Sequence, residues 1–379
     1  MLSETQRLIR DTTRHFARER LWPTAAERDR SSRPPVELLR EMGGLGLMGM
    51  CVPERWDGAG ADFTSYVLAI EEVAAGDGAV STIMSVNNSP VCAAILRYGT
   101  DEQRERFLRP LARGEVIGAF ALTEAQAGSD AGAVQCRAED RGDHFVVNGT
   151  KQFITSGSIA GCTLVFAVTD PELGRKGISC FIVPADSPGY SVAHIESKLG
   201  QRCSDTCQLA FDDLKLSPDL MLGGRGEGYR IALANLESGR IGIGAQAVGM
   251  ARSAFEAALD YAKQRETFGT AIINHQAVAF RLADMATQLE AAHQLVLSAA
   301  ALKDAGEPCL DRASMAKLFA SEIAERVCSD AIQVHGGYGY VADFPVERIY
   351  RDVRVCQIYE GTSDVQRIVI SRSLGTGRG

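Results

Sequence analysis

The stretch HFVVNGTKQFI, residues 144–154, decides how this chain is organised, because it is β-type sequence between segments of helical character. Branched and aromatic residues flank Asn148-Gly149, a dipeptide that is the strongest short signal for a two-residue β-turn. Further runs of strand length follow at 163–168, 178–183 and 206–211, and prolines and glycines separate them. The sequence therefore predicts a hairpin at 144–154 within a β domain.

Helical patterns lie on both sides of this β region. Ser3 and Gln6 have the spacing of a capping box, and Val67, Ile70 and Ala74 follow the helical period. After residue 223, three long apolar stripes at helical spacing predict an antiparallel bundle. The prediction is an α+β multidomain chain with an N-terminal helical domain (1–117), a middle antiparallel β-barrel or β-sandwich domain (118–222) and a C-terminal helical bundle domain (223–379).

Composition argues against several classes of protein. Forty basic and 48 acidic residues give a formal net charge of -8, whereas a nucleic-acid surface needs clustered excess Lys and Arg. No apolar run approaches the ~20 residues of a membrane span, so no membrane contact is expected. The ten cysteines lack the spacing of zinc ligands, so no metal is expected. Acids such as Glu4 and Asp11 interrupt the Arg-rich N-terminus, unlike a transit peptide, and a cytoplasmic location is expected.

The segment GIGAQA, residues 242–247, matches a dinucleotide-binding fingerprint. That fingerprint requires a preceding strand, because the pyrophosphate binds at a strand-to-helix turn. Here residues 231–236 belong to a helical stretch. We therefore predict that these glycines serve close packing within a helix.

Three other segments have the residues of a site for a planar polar ligand. In FALTEAQAGSD, residues 120–130, a strand end meets small residues, hydroxyls and acids. In KQFITSG, residues 151–157, Phe153 and Thr155 would share one face of a strand. In QIYEGTSD, residues 357–364, a carboxylate lies between an aromatic residue and a glycine. Taken singly, the first segment could be an ordinary strand-to-loop turn, the second a hairpin arm, and the third a helix C-cap with Gly361 at its end.

Together, the three segments and the order of the domains resemble the acyl-CoA dehydrogenase family over essentially the whole chain. IMSVNNS (83–89) and GRIGI (239–243) are similar to the short-chain, or butyryl, branch. The resemblance implies FAD-dependent α,β-dehydrogenation of a short straight or methyl-branched acyl-CoA to the trans-2-enoyl-CoA. It also implies a C-terminal four-helix bundle, a homotetramer, and an electron-transferring flavoprotein as the electron acceptor.

The resemblance also implies roles for individual residues. Glu360 would abstract the α proton, and the segment RETF (265–268) would reach the FAD of a neighbouring subunit. The cofactor-binding residues would be Phe120, Leu122, Thr123, Gly128, Ser129, Phe153, Ile154, Thr155, Arg265, Thr267, Phe268, His275, Gln276, Gln333, Val334, Gly336, Gly337, Thr362, Ser363 and Asp364. The substrate-binding residues would be Ser129, Glu237, Arg240, Tyr359, Glu360 and Gly361.

The chain departs from the family pattern at a few positions. Phe153 stands where the family usually has Trp, and Ala125-Gln126 where it has Pro followed by Gly or Asn. Asp364 replaces a frequent Gln or Glu. Some relatives carry the base immediately before the position of Arg240, where this chain has Gly239, which cannot take a proton.

Two alternatives keep the same fold. One is a flavin oxidase or monooxygenase, such as a nitroalkane-oxidase-like enzyme, acting on a substrate without CoA. The carboxylate within Tyr359-Glu360-Gly361-Thr362 favours the dehydrogenase over it. The other is a non-catalytic DNA-associated relative, which would need a basic C-terminal domain, and the negative net charge disfavours it.

Overall fold

The computed structural model describes residues 2–375 and has the helical, β, helical order that the sequence predicts. The first helix begins with the predicted capping box, in which the side chains of Ser3 and Gln6 each bond the other residue's backbone N–H. The N-terminal helices are α1 (Glu4–Phe16), α2 (Ala25–Ser31), α3 (Val36–Gly44), α4 (Phe63–Gly76), α5 (Gly78–Val86), α6 (Ala93–Tyr98), α7 (Asp101–Gln103) and α8 (Arg109–Ala112).

The middle of the chain forms an eight-stranded sheet. Its strands are β1 (Ile117–Ala121), β2 (Arg137–Asp140), β3 (Phe145–Thr155), β4 (Ala160–Val168), β5 (Ile178–Pro184), β6 (Tyr190–Ile195), β7 (Thr206–Leu216) and β8 (Met221–Leu222). The order is β6-β7-β3-β2-β4-β5-β8, with β1 beside β4. Most pairs are antiparallel, as predicted, but β1 and β2 run parallel to β4.

The predicted hairpin at Asn148-Gly149 is wrong, because β3 runs through both residues as one strand of 11 residues. Gly149 has φ +146°, and a Cβ there would lie 2.9 Å from the Cα of Cys136, so glycine lets β2 approach β3. The side chain of Asn148 exchanges hydrogen bonds with Asp213 on β7. The chain turns instead at 141–144, where the Arg141 N–H donates to the His144 carbonyl.

The C-terminal part is a helical bundle. Its elements are α9 (Gly228–Gln264), the short strands β9 (Glu266–Thr267) and β10 (Thr270–Ala271), α10 (Gln276–Asp304), α11 (Leu310–His335), α12 (Val346–Val353) and α13 (Ser363–Gly375). Helices α9, α10 and α11 pack against one another, and α13 packs on α11. Residues 242–247 lie inside α9, as predicted, and a Cβ on the nearby Gly249 would lie 2.2 Å from the Glu71 carbonyl oxygen of α4.

The buried apolar residues form two large hydrophobic cores. One joins the N-terminal helices, chiefly α4, to the C-terminal bundle, and Tyr359 packs against it. The other joins the sheet to α6, α8 and the first turns of α9. The helical parts at the two ends of the chain therefore fold as one packed unit, and the sheet lies beside it.

One segment of the described chain, Gly78–Tyr98, is apolar and long enough to cross a membrane by length and composition alone. The prediction that no apolar run approaches that length is wrong for this segment. Polar residues such as Asn87 and Asn88 interrupt its sequence, so its overall apolar character is not evident from a continuous run. Most of the segment is buried inside the protein. Asn87 donates to the carbonyl oxygens of Met48 and Leu111, as a buried polar group in a core helix must.

Candidate active site

Glu360 and Gly361 form a left-handed turn between α12 and α13. Their φ angles are +54° and +89°, and a non-glycine residue in this region costs of order 1–3 kcal/mol and is typical of functional sites. Gln366 holds the turn, since its Nε2 donates to the carbonyl oxygens of Glu360 (3.3 Å) and Gly361 (2.8 Å). The alternative of a C-cap at Gly361 does not apply, because the preceding 3₁₀ turn ends at Gln357.

The Glu360 carboxylate is enclosed without a partner. Its Oε2 is buried and has no hydrogen bond within residues 2–375, although the residue as a whole retains some accessible surface. Burial raises the pKa of Glu360 to about 7, and the positive charges of Lys317 and Arg240 act in the opposite direction. A carboxylate with these properties is a candidate general base at neutral pH.

Gly239 on α9 provides the space for this carboxylate. A Cβ at Gly239 would lie 2.6 Å from Glu360 Oε2 and 3.0 Å from its Cδ. The two positions that the resemblance implies for a base, residues 239 and 360, therefore meet at one point in space. Since Gly239 has no side chain, Glu360 is the carboxylate that reaches this point.

Of the predicted substrate-binding residues, Arg240 and Glu237 lie on the same part of α9. Arg240 is buried, its Nε has no partner within the described residues, and its NH1 donates to Ser314 at 3.3 Å. Glu237 accepts a hydrogen bond from Cys309 and pairs with Lys303 at 3.6 Å. Arg240 thus has a free donor beside Glu360, whereas Glu237 is already engaged.

Tyr359 connects the Glu360-Gly361 turn to other parts of the chain. Its hydroxyl donates to Gln246 Oε1 on α9, and Gln201, before β7, donates to the same hydroxyl at 3.5 Å. Gln246 Nε2 in turn donates to Thr82 and Ser81 of α5. Because this network is internal, the Tyr359 hydroxyl is not available to a substrate, and only the rest of the residue can meet one.

The predicted flavin-lining segments of the β domain are adjacent in the structure. The Gln152 N–H donates to the Thr123 carbonyl, and buried Lys151 donates to Leu122 O (3.0 Å) and Glu124 Oε1 (2.7 Å). The ring of Phe120 packs on Phe166 with centroids 4.8 Å apart. These contacts bring 120–124 and 151–155 together as one wall.

The expectation that Phe153 and Thr155 share a face through strand alternation is not valid here. Phe153 has φ +59°, and the register with β7 shifts between Lys151 and Ile154, so regular alternation stops at this point. The Phe153 side chain is largely exposed, whereas Ile154 is buried in the core. Phe153 can therefore offer its ring to a ligand, and Ile154 can contribute only backbone.

The predicted cofactor contacts 265–276 and 333–337 form a separate cluster at the far end of the bundle. His335 stacks on Tyr261, and the Arg265 guanidinium lies 6.0 Å from the Tyr338 ring centroid. Arg265 is about 39 Å along α9 from Gly239, at about 1.5 Å per helical residue. One chain therefore cannot bring these residues to Glu360.

The residues present fit a large planar cofactor with phosphates. At Gly128 and Gly337 a Cβ would meet nothing within 4 Å, so backbone is open to a ligand. Phe153 exposes an aromatic face, and Ser363 has a buried hydroxyl without a partner within the described residues. Ser129 is exposed in the loop after β1. In the far-end cluster Val334 is buried, but Gln333, Gly336 and Phe268 are exposed.

Residues that the sequence analysis did not select also belong to the site. Lys317 of α11 donates to the Gly361 carbonyl at 2.5 Å. Gln246 accepts a hydrogen bond from Tyr359, and Gln366 donates to the carbonyl oxygens of Glu360 and Gly361. A signal for Lys317 exists in the sequence, because it follows buried Ala313 at helical spacing. A charged residue on an apolar helix face is rare without a specific partner.

Comparison with protein families gives matches to all three parts of the chain. They are the N-terminal (residues 3–115), middle (119–214) and C-terminal (226–375) domains of acyl-CoA dehydrogenase. An acyl-CoA dehydrogenase of Bacillus subtilis is 47% identical over 98% of both chains. A short-chain specific enzyme of Clostridium acetobutylicum is 45% identical over 98% of both. A 3-(aryl)acrylate reductase of Clostridium sporogenes is 44% identical over 98% of this chain and 99% of its own.

Solved structures agree with these sequence relatives. Butyryl-CoA dehydrogenase from Megasphaera elsdenii superposes with a TM-score of 0.97 and 41% identity over 99% of each chain. A chain from work on the electron transferring flavoprotein of Acidaminococcus fermentans gives a TM-score of 0.98 with 45% identity, over 100% of this chain and 99% of its own.

Proposed function

Because this chain belongs to the acyl-CoA dehydrogenase family, we propose that it oxidises a short-chain acyl-CoA to the trans-2-enoyl-CoA with Glu360 as the base. As a member of that family it is an FAD-dependent oxidoreductase that acts on CH–CH groups. One observation carries the assignment of the base. Glu360 lies in a left-handed turn, and its carboxylate has no hydrogen-bond partner for Oε2 within the described residues. This carboxylate faces α9 at Gly239, where the absence of a side chain leaves room for it.

Glu360 performs the proton transfer in this proposal. Its carboxylate takes the proton from the α carbon, and burial strengthens it as a base by raising its pKa to about 7. Bound FAD would supply the acceptor for the hydrogen that leaves the β carbon as hydride. The Glu360 N–H has no acceptor within residues 2–375, so it can donate to the thioester carbonyl, where negative charge develops.

Other residues of the chain orient the two ligands. Arg240 has a buried donor free to meet a polar group of the thioester or of CoA. Thr123 and Phe153 would lie against the flavin ring, and Ser363 would donate to the cofactor with its unpartnered hydroxyl. These contacts would hold the substrate between the flavin and Glu360, as removal of hydrogen from two adjacent carbons requires.

Two hydroxyls support the preference for a short acyl chain. One turn along α9 from Gly239, a Cβ at Gly242 would lie 3.3 Å from both Tyr66 Oη and Ser85 Oγ. Those two hydroxyls are 3.2 Å apart and hydrogen-bond to each other. A long chain extending along α9 in that direction would meet a packed polar pair. Named relatives with short-chain specificity support the same conclusion.

The test is anaerobic bleaching of the flavin by a panel of acyl-CoAs. Straight chains of about four to eight carbons, isobutyryl-CoA, 2-methylbutyryl-CoA and an arylpropionyl-CoA would be compared by the rate of flavin reduction. We expect the highest kcat/KM with a four- or five-carbon thioester, and each mismatched methylene to change selectivity by about 1–3 kcal/mol. Failure of every thioester to reduce the flavin would reject the function. Rapid reoxidation of the bleached flavin once oxygen is admitted would contradict an electron-transferring flavoprotein as the acceptor.

A homotetramer and an electron-transferring flavoprotein as acceptor are further parts of the proposal. Phe268 is 99% exposed and Tyr340 is 87% exposed in the far-end cluster, as expected of a surface that a second subunit covers. Because that cluster lies far from Glu360 of the same chain, its cofactor contacts would serve a neighbouring subunit. A similar chain studied with an electron transferring flavoprotein supports the acceptor. Native mass spectrometry of the holoenzyme would test the tetramer.

We expect Phe153→Ala to weaken FAD binding by about tenfold. The Phe153 side chain is 61% exposed, and a stacked aromatic pair contributes about 0.5–1.5 kcal/mol beyond burial. Isothermal titration of the deflavinated protein with FAD measures the change. Leu173→Ala removes a similarly exposed apolar side chain (59%) from the same domain and serves as the control. Equal FAD affinity in the two variants would contradict the stacking role.

A further inference from the structure

Lys317 is a buried cation without a carboxylate partner. Its relative accessibility is 0%, and its ammonium forms no ion pair within 4 Å in the described part of the chain. Its neighbours at helical spacing on α11 are the buried alanines Ala313 and Ala320 and the buried serines Ser314 and Ser321, none of which carries a charge. Burial of an unpaired ammonium is costly, and an apolar side chain of similar length would fill the same volume without that cost. The fold alone does not account for a lysine here.

The ammonium of Lys317 points at the catalytic turn. Its Nζ donates to the Gly361 carbonyl at 2.5 Å, and Gln366 Nε2 donates to the same oxygen at 2.8 Å. Two donors, one of them charged, therefore fix one peptide group of the turn. That peptide follows Glu360, whose own φ of +54° requires support from outside the turn.

Lys317 also acts on Glu360 through its charge. After burial, which raises the pKa of Glu360, the charge of Lys317 is the largest influence, and it lowers that pKa. Burial lowers the pKa of Lys317 itself to about 8, while the Glu360 charge raises it. The lysine thus remains mostly protonated at neutral pH and favours the ionised carboxylate.

The other titratable groups around Glu360 come from several elements. Arg240 on α9 favours the ionised carboxylate, and Glu237 interacts with Arg240. Tyr66 on α4 interacts with Glu360, and Cys356 of the preceding 3₁₀ turn interacts with Lys317. Burial raises the pKa of the Tyr66 hydroxyl well above its usual range and that of Cys356 to about 12, so both stay neutral near pH 7. Lys317 and Arg240 are then the charges that set the state of Glu360.

We propose that Lys317 is a positioning residue for the Glu360 base: its ammonium anchors the Gly361 carbonyl and keeps the neighbouring carboxylate ionised when the substrate binds. This inference rests on the proposed function, in which Glu360 takes the α proton. Substrate binding expels water from the site and further disfavours the ionised carboxylate. A fixed positive charge on the protein side opposes that effect without contacting the substrate.

The test compares Lys317→Met with Gln366→Leu in the holoenzyme. Both variants remove one donor from the Gly361 carbonyl, but only Lys317→Met removes a charge. We expect Lys317→Met to raise the midpoint of Glu360 protonation by about 1 pH unit or more. Gln366→Leu should leave that midpoint in place. The midpoint is read from the infrared carbonyl band of protonated Glu360, identified by its loss in Glu360→Gln.

The same variants are then followed by anaerobic flavin reduction across pH. Lys317→Met should reduce its flavin about 10- to 100-fold more slowly at pH 7 and recover part of the rate at high pH. Lys215→Met makes the same chemical change at an exposed site in the β domain and should behave as wild type. Lys317→Arg restores the charge and should return the midpoint towards the wild-type value.

The possible outcomes separate this inference from the proposed function. An unchanged midpoint and rate in Lys317→Met would overturn the role of Lys317, while wild-type bleaching by acyl-CoA would still stand. If wild-type flavin were not bleached at all, the function itself would fail. If Lys317→Met did not fold, Gln366→Leu must still slow the reduction, because it loosens the same carbonyl. A wild-type rate in that variant would overturn the anchoring.

Discussion

Glu360→Gln is expected to retain bound FAD and to bind acyl-CoA but to reduce its flavin at least about 10³-fold more slowly than wild type. General-base catalysis contributes about 10²–10⁴-fold, and the amide has the shape of the carboxylate without its basicity. The unpaired Oε2 and the raised pKa of Glu360 are the observations that support its proposed role as the base. Stopped-flow absorbance under anaerobic conditions measures the reduction rate directly.

A matched carboxylate nearby provides the control for this experiment. Glu325 on α11 accepts a hydrogen bond from Gln357, close to the same turn, but does not face Gly239. Glu325→Gln should therefore keep a near-wild-type rate. The assignment of the base would be wrong if Glu360→Gln reduced its flavin normally, or if both substitutions abolished reduction together with FAD binding.

Thermal stability across pH provides a second measurement on the same variant. The folded pKa of Glu360 lies above the ordinary value of 4.5, at about 7, so folding disfavours its ionised form. As pH rises from about 4.5 to about 7, the unfolded chain ionises at Glu360 before the folded protein does, so the free energy of unfolding decreases over this range. Glu360→Gln removes this penalty. Its melting temperature should exceed that of wild type by more at pH 8 than at pH 5, and equal differences would contradict the buried, unpaired state of the carboxylate.

Gly239→Ala is expected to lower kcat by about 100-fold with little loss of stability. The new Cβ would lie 2.6 Å from Glu360 Oε2, so the carboxylate must move, and a displacement of about 1 Å can cost about 10²-fold in rate. The atom that must move is the free end of a flexible side chain rather than backbone. The folded state should therefore accommodate the methyl group, while the base is displaced.

The control for Gly239→Ala is a second glycine of the same helix. At Gly244 a Cβ would lie 3.0 Å from a methyl group of Val296, within the core and away from Glu360. Gly244→Ala should affect the melting temperature more than the rate. If both variants lost activity in proportion to their stability, crowding of the base would not be the cause. The rate of flavin reduction and the melting temperature from differential scanning calorimetry are measured for both variants and compared.

Both expected effects depend on contacts between segments that are distant in the chain. Lys317 and Gly361 are 44 residues apart, and Gly239 precedes Glu360 by far more. A single sequence contains no signal for which helix face meets a given loop. Glu360 could be selected from its local motif, whereas the glycine that admits it and the lysine that anchors its turn could be recognised as partners only in the structure.

The far-end cluster shows the same limit for the cofactor site. The resemblance implied that residues within 265–276 and 333–337 contact the cofactor, but it did not give their position relative to Glu360. The structure puts both segments at one end of the bundle, where Tyr261 and His335 stack. The length of α9 and α11 separates them from the Glu360-Gly361 turn. The division of the predicted site into two clusters is therefore a consequence of helix length and packing.

The sequence by itself determined the helical, β, helical order, because residue periodicity of 3.6 or 2 is a local property of each segment. It also indicated Glu360, since an acid next to Gly361 is visible without any structure. Only the tertiary structure decided that Asn148-Gly149 continues a strand, because Cys136, which directly precedes β2, and Asp213 on β7 occupy the space around it. A local turn preference contributes about a kilocalorie per mole, and packing against two neighbouring strands outweighs it.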